Sequence, residues 1–234
     1  MCTDLGELQR YLGLQITRDR AARTIMLTQS HMVQQVLLWF EFQFSTTQPT
    51  PLAVDHRLTG PFPNEPFESS GPYAELVGCL MTAAVRVTKY LATTSGMGLV
   101  LGGTQSVELT GHFDSSYTDD VETQRSTQGY CFSLGAGAVS WRSTRLSTVA
   151  LSSVEAEIYA GAMAERELRW LTFLLTDLGE RPRSAPTLYA DNKAMILQCR
   201  EPRLESRVKH INVRYFLLRE LQRRGQARLD CVAS

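Results

Sequence analysis

The sequence predicts an α/β protein: a mixed sheet, three antiparallel strands followed by βα alternation, with helices packed against it. Two patterns carry that expectation. Short β-prone runs succeed one another from Val107 to Ser143 with turn-forming residues between them, and the periodicity then switches to helical. A strand, helical material and a last strand follow, which is the order that builds a mixed sheet with flanking helices. The 234 residues, 43% apolar and 21% charged, are enough for one domain of ordinary size with an appendage, and their composition excludes wholesale disorder.

Taken in order, Tyr11–Arg18 and Thr24–Thr28 read as a hairpin turning through Asp19–Arg23. Ser30 caps a helix whose apolar positions are Val33, Val36, Leu37 and Phe40. Six of the nine prolines then fall between Pro49 and Pro72, so residues 45–72 read as an irregular linker. Tyr73–Leu91 is helical in pattern, with Leu76, Leu80, Ala84, Val87 and Leu91 on one face. Val107, Leu109 and Phe113 alternate with polar residues up to Asp114, as in a half-buried strand. Gly129–Leu134 and Ala138–Ser143 are two further strands, joined through Gly135-Ala136-Gly137.

The strongest helix signal comes next. Ser152-Ser153-Val154-Glu155 has the spacing of a capping box, Ile158, Ala162, Leu168, Leu171, Leu175 and Leu178 follow, and Gly179 marks the stop. Thr187–Ala190 is a short strand ending at Asp191, Arg207–Arg224 is an amphipathic helix closed by Gly225, and Gln226–Val232 is the final strand. The expected divisions are 1–44, 45–72, 73–106 and 107–234.

Five scattered cysteines without a Cys-x-x-Cys pair argue for reduced thiols and against a structural zinc site. No stretch reaches about 18 uninterrupted apolar residues, and the N-terminus lacks the basic and apolar regions of a secretory signal. No membrane partner is expected, and the expected location is intracellular, cytoplasmic or nuclear. Net charge is zero, yet residues 181–234 carry twelve Lys/Arg against five Asp/Glu, a split that points to a polyanion.

Asp114, Glu157 and Asp191 stand at two strand ends and in the first turns of the long helix. Side chains at such places meet in the crevice of an open α/β sheet. Carboxylates that converge repel one another unless a cation lies among them. Oxygen donors without Cys or His favour Mg²⁺ or Mn²⁺, and such a site supports two-metal phosphodiester hydrolysis. An acid at a strand end is more often a solvated turn or capping residue, so the trio gains its weight from the surrounding words of the sequence.

Those words are Gly111-His112-Phe113-Asp114, Arg125-Ser126-Thr127-Gln128-Gly129-Tyr130, Val139-Ser140-Trp141 and Val149-Ala150-Leu151-Ser152-Ser153-Val154-Glu155-Ala156-Glu157. Tyr189-Ala190-Asp191-Asn192-Lys193-Ala194 and Ser206-Arg207-Val208-Lys209-His210-Ile211-Asn212-Val213-Arg214-Tyr215 continue the series. Together they resemble the ribonuclease H domain of copia-type LTR retrotransposon polyproteins. Asp4-Leu5-Gly6-Glu7-Leu8 and Pro72-Tyr73-Ala74-Glu75-Leu76-Val77-Gly78 look like the stretch that follows the reverse transcriptase palm.

The resemblance implies a ribonuclease H-like five-stranded sheet over 107–234, preceded by a small α+β reverse transcriptase remnant. It also implies hydrolysis of the RNA strand of an RNA/DNA hybrid with two Mg²⁺ (or Mn²⁺) ions. Motif by motif, Asp114, Glu157 and Asp191 match the family's catalytic, metal-binding acids, and Glu155 is left as the capping partner of Ser152. Arg125, Asn192, Lys209, His210 and Arg214 are the candidate substrate-binding residues. Three departures accompany the match: the polymerase aspartates have no counterpart, Val77-Gly78-Cys79-Leu80-Met81 runs almost directly into the next helix, and the helix carrying a fourth catalytic Asp is missing. They motivate a competing expectation, a catalytically dead remnant or a domesticated module that binds nucleic acid or protein.

Overall fold

The computed structural model describes residues 6–39, 48–51, 84–103, 108–120, 122–180, 182, 184–200 and 209–232. Most of the proline-rich 45–72 stretch, the 73–83 part of the expected helix and the start of the Ser206–Tyr215 motif lie outside the described residues. The chain divides into two compact units, Met1–Val100 and Leu101–Ser234.

In the first unit a hairpin of β2 (Leu14–Asp19) and β3 (Thr24–Thr28) pairs in antiparallel register, Thr17 opposite Met26. Its turn is held by Asp19, whose Oδ1 accepts from the backbone N–H of Ala21 and of Ala22, each at 2.9 Å. β1 (Arg10–Tyr11) and β4 (Leu99–Gly102) extend the hairpin to a four-stranded sheet of order β1-β2-β3-β4. β4 has no counterpart among the expected elements: four residues beside a run of glycines are too short to show a period. The helix α1 (Ser30–Trp39) buries none of its residues, and residues 84–94 are helical (α2).

The second unit is built on β5 (Leu109–Ser116), β6 (Thr127–Leu134), β7 (Gly137–Arg145), β8 (Thr187–Ala190) and β9 (Arg228–Cys231), in the order β7-β6-β5-β8-β9. The first three are antiparallel, and β8 joins β5, and β9 joins β8, in parallel. This is the ribonuclease H-like mixed sheet expected from the sequence. Its helices are α3 (Ser153–Asp177), α4 (Lys193–Arg200) and α5 (Lys209–Arg223).

Alternation along β5 decides which face is the core. Leu109, Gly111 and Phe113 are buried, while His112 and Asp114 are exposed. Phe132 and Leu188 from the neighbouring strands join Phe113 against Ile158, Leu168 and Leu218 of the helices. Each such side chain contributes roughly 1.5–3 kcal/mol by leaving water. The layers meet closely at two glycines. A Cβ on Gly111 would lie 2.4 Å from the Phe132 ring, and one on Gly161 of α3 would lie 2.9 Å from Leu218 Cδ1 and 3.1 Å from the Phe113 ring. α3 ends as its glycine predicts. Gly179, at φ +77°, donates to Thr176 O, and Glu180 N–H reaches back to Leu175 O. Among the described residues no helix is long and apolar enough to cross a membrane.

Candidate functional site

Sheet register places two of the three acids. β5 and β8 run in parallel with His112 opposite Tyr189. Carrying that register two residues further sets Asp191 beside Asp114, at the carboxyl ends of two adjacent strands. Strand β5 continues past Asp114 to Ser116, so Asp114 lies within the strand rather than closing it.

The third acid arrives from α3. Ser152 caps this helix, its side chain accepting from Glu155 N–H at 3.1 Å. The Glu155 carboxylate reaches one residue further back than a reciprocal capping box requires, accepting from Leu151 N–H at 2.7 Å. Glu155 is thereby engaged at the helix entrance, and Glu157, two residues on, projects elsewhere. Gly161, one turn beyond Glu157, lets α3 lie close on β5 at the level where Phe113 is packed.

Ser115 makes the junction. By parity it shares the helix-facing side of β5 with Phe113, and its Oγ donates to Glu157 Oε1 at 3.0 Å. Its backbone N–H is shared between Glu157 Oε1 at 3.2 Å and Asp114 Oδ1 at 2.8 Å. Nothing in the sequence singled out Ser115; the only signal there was its place immediately after Asp114.

The structure thus brings Asp114, Glu157 and Asp191 together, with one carboxylate oxygen from each inside a mutual distance of 4.8 Å. Asp114 and Asp191 are exposed and Glu157 is buried. Burial is the main reason the Glu157 carboxyl is pushed up from 4.5 to about 7; the hydrogen bond from Ser115 opposes the rise, and the charges of Asp114 and Asp191 add to it. Glu157 Oε2 is buried without a hydrogen-bond partner. Among the described residues, none of the ion pairs engages these three acids. A divalent cation fits this donor set: three oxygen donors, one of them orphaned, with no resident counter-charge.

A shallow groove of about 380 Å³ opens beside the acids on the uncovered face of the sheet, lined by His112, Cys131, Tyr189 and Val232 among others. His112 stacks on Tyr189 with ring centroids 5.0 Å apart. Trp141, on the same row of the sheet as Cys131 and His112, is 67% exposed.

The candidate substrate residues are dispersed. Asn192 caps α4, its Oδ1 accepting from Met195 N–H at 3.0 Å. The Arg214 guanidinium lies 4.2 Å from the centroid of the Tyr159 ring. Arg125 is half-buried in the segment leading to β6. The side chains of Lys209 and His210 lie outside the described residues. Of the basic helix α5, Arg223 and the following Arg224 pair with Glu220.

Comparison with known proteins adds an independent line. No family model matches the chain. It is 30% identical over 252 residues to the retrovirus-related Pol polyprotein from transposon TNT 1-94 of Nicotiana tabacum, covering 93% of this chain and 19% of that polyprotein. It is 34% identical over 154 residues to the corresponding polyprotein from transposon RE1 of Arabidopsis thaliana, covering 66% of this chain and 10% of the relative. The chain therefore spans a fifth or less of the length of these relatives. Among solved structures, RNase H1 from Halobacterium salinarum is 15% identical, with a TM-score of 0.37 over 53% of this chain and 83% of that one. At that level the superposition is loose, and it is strand order and register that define the fold.

Proposed function

Because the chain belongs to the Pol polyproteins of copia-type retrotransposons, we propose that its second unit is a ribonuclease H that hydrolyses the RNA strand of RNA/DNA hybrids with divalent metal ions. The observation that carries this reading is the convergence of Asp114, Glu157 and Asp191 within 4.8 Å.

In this reading Asp114, Glu157 and Asp191 hold Mg²⁺ or Mn²⁺, hard ions suited to carboxylate oxygens. Two such ions, when bound, supply an activated water and stabilise the charge on the leaving oxygen. The chain's own residues set up that chemistry. Ser115 fixes Glu157 through Oε1, which leaves Oε2 as the free donor. Parallel pairing of β5 and β8 holds Asp114 and Asp191 side by side at the carboxyl-terminal end of the sheet. Arg125, Asn192, Lys209, His210 and Arg214 are the side chains proposed to contact substrate phosphates and sugars. A hybrid would be read through phosphate, shape and 2′-OH contacts, without strong sequence preference.

The test is cleavage of a labelled RNA/DNA hybrid in Mg²⁺ or Mn²⁺ by the full chain and by Asp191→Asn. Loss of a ligand is expected to lower the rate by more than roughly 100-fold, since even groups that only support a ligand cost 10–100-fold. Equal signals from the two proteins would remove the enzymatic reading. One observation favours a second reading, a module that binds without cleaving: among the described residues the cluster holds three acids and no fourth. Tight, metal-independent binding of the hybrid with no turnover is the result that selects it.

A further inference from the structure

Two adjacent strands of the second unit carry the same pattern at the same level. β5 presents His112 and, two residues on, Asp114, and β8 leads from Tyr189 to Asp191. The strands are parallel with His112 opposite Tyr189, so the two rings lie side by side and the two acids lie side by side beyond them. Two residues of extended chain set ring and acid about 7 Å apart. The rings stack with centroids 5.0 Å apart, and His112 is the exposed member of the pair.

The groove runs past both. Its volume of about 380 Å³ is at the small end of ligand sites and suits one ring-bearing group, not a duplex. Gly129, opposite Asp114 on β6, also lines it. A Cβ there would have only Arg142 O within 4 Å, at 3.3 Å, so the absence of a side chain keeps this end open.

Charge and shape together select the occupant. One end holds the acids, which become a positive pole once divalent ions are bound. The other end offers the exposed His112 ring backed by Tyr189. A ligand that matches both has an anionic oxygen group joined to a flat ring at about that separation, and a nucleotide is such a ligand. Inside a duplex the base faces are already stacked, so the nucleotide has to be unpaired. Without divalent ions the groove repels a phosphate: Asp230, opposite Tyr189 on β9, adds a further exposed carboxylate, with only Arg200 at 3.7 Å to offset it.

We infer that this groove is a subsite for one unpaired nucleotide of a nucleic-acid strand, its base stacked on the His112–Tyr189 pair beside the ions that Asp114 and Asp191 would hold. The inference rests on the metal-site reading and goes beyond it, since a hybrid recognised by shape and phosphate needs no aromatic platform.

Fluorescence anisotropy of a labelled single-stranded RNA hexamer, which offers no hybrid to cleave, tests it on the full chain. Binding is expected with Mn²⁺ and not in chelator, and an abasic strand of the same length should bind roughly 10-fold more weakly. His112→Leu and Tyr189→Leu should each weaken the hexamer by about 10-fold, or about 1.4 kcal/mol, within the range of one base–aromatic stack. His112→Phe and Tyr189→Phe keep a ring and should bind as the wild type does, a rescue that a merely structural role would not give. Mn²⁺ calorimetry on the same proteins keeps the two readings apart. If Mn²⁺ binds and the hexamer does not, if the abasic strand binds equally well, or if His112→Leu and His112→Phe bind alike, the groove inference is overturned while the metal site stands. A wild type that takes up no Mn²⁺ removes both.

Discussion

Glu157 is under two opposing influences, burial that favours its neutral form and Ser115 that favours its charged one. The first is larger, and the consequence for stability has a definite sign. With a carboxyl raised from 4.5 to about 7, the metal-free fold binds a proton that the unfolded chain has already released. Glu157 is therefore best tolerated below pH 4.5, and its contribution is lost as pH rises through 7. Urea midpoints measured in chelator should fall over that window for the wild type and change less for Glu157→Gln. Divalent ions should oppose the fall, since they supply the missing counter-charge. Ser115→Ala removes the Oγ donor that holds Oε1 and is expected to weaken Mn²⁺ binding roughly 10- to 100-fold by calorimetry. Ser115→Thr keeps a hydroxyl at the same place and should retain most of the affinity.

Helix α3 is the element that couples fold to site, because it carries Glu157 on one turn and packs through Gly161 on the next. A larger side chain at 161 has no room: even a Cβ would approach Leu218 and the Phe113 ring at 2.9–3.1 Å. Gly161→Leu should destabilise the protein by about 1–3 kcal/mol through overpacking. It should also reduce metal affinity, because lifting α3 from β5 withdraws Glu157 from Ser115. The helix start can be perturbed without that second effect. Ser152→Ala deletes the cap on Glu155 N–H and is expected to cost about 1 kcal/mol in chemical denaturation while leaving metal affinity near the wild-type value. Comparing the two variants separates the helix's stability from its height above the sheet.

Across the whole molecule, a ligand that binds only the folded state stabilises it in proportion to the logarithm of its concentration. Mg²⁺ or Mn²⁺ at about 100 times its Kd should therefore add roughly 2.7 kcal/mol, read as a rise in thermal midpoint. Asp114→Asn should abolish most of that rise. The Cys199 thiol adds nothing to it: it is buried within the core and pushed up to about 12 by that burial, so it stays a protonated, inert packing group. The two compact units differ in how much they bury. The second contains the main core around Phe132, Leu188 and Leu218, whereas α1 in the first buries none of its residues.

Much of this was legible before any coordinates. Alternation in β5, the Ser152 cap and the Gly179 stop are local signals, because strand and helix periods and chain-end hydrogen bonds depend on residues a few positions apart. Those same residues, with the motifs around Asp114, Glu157 and Asp191, also pointed to the family and to the succession of strands and helices along the chain. Other features depend on contacts between distant segments, and no local pattern encodes them: the meeting of the three acids, the grip of Ser115 on Glu157, the tight approach at Gly161, the diversion of Arg214 onto Tyr159, and the exposure of Trp141 and Phe173. Register across β5 and β8, and the height of α3 above the sheet, are set by how side chains from both layers fill a shared space. Only the folded chain decides that.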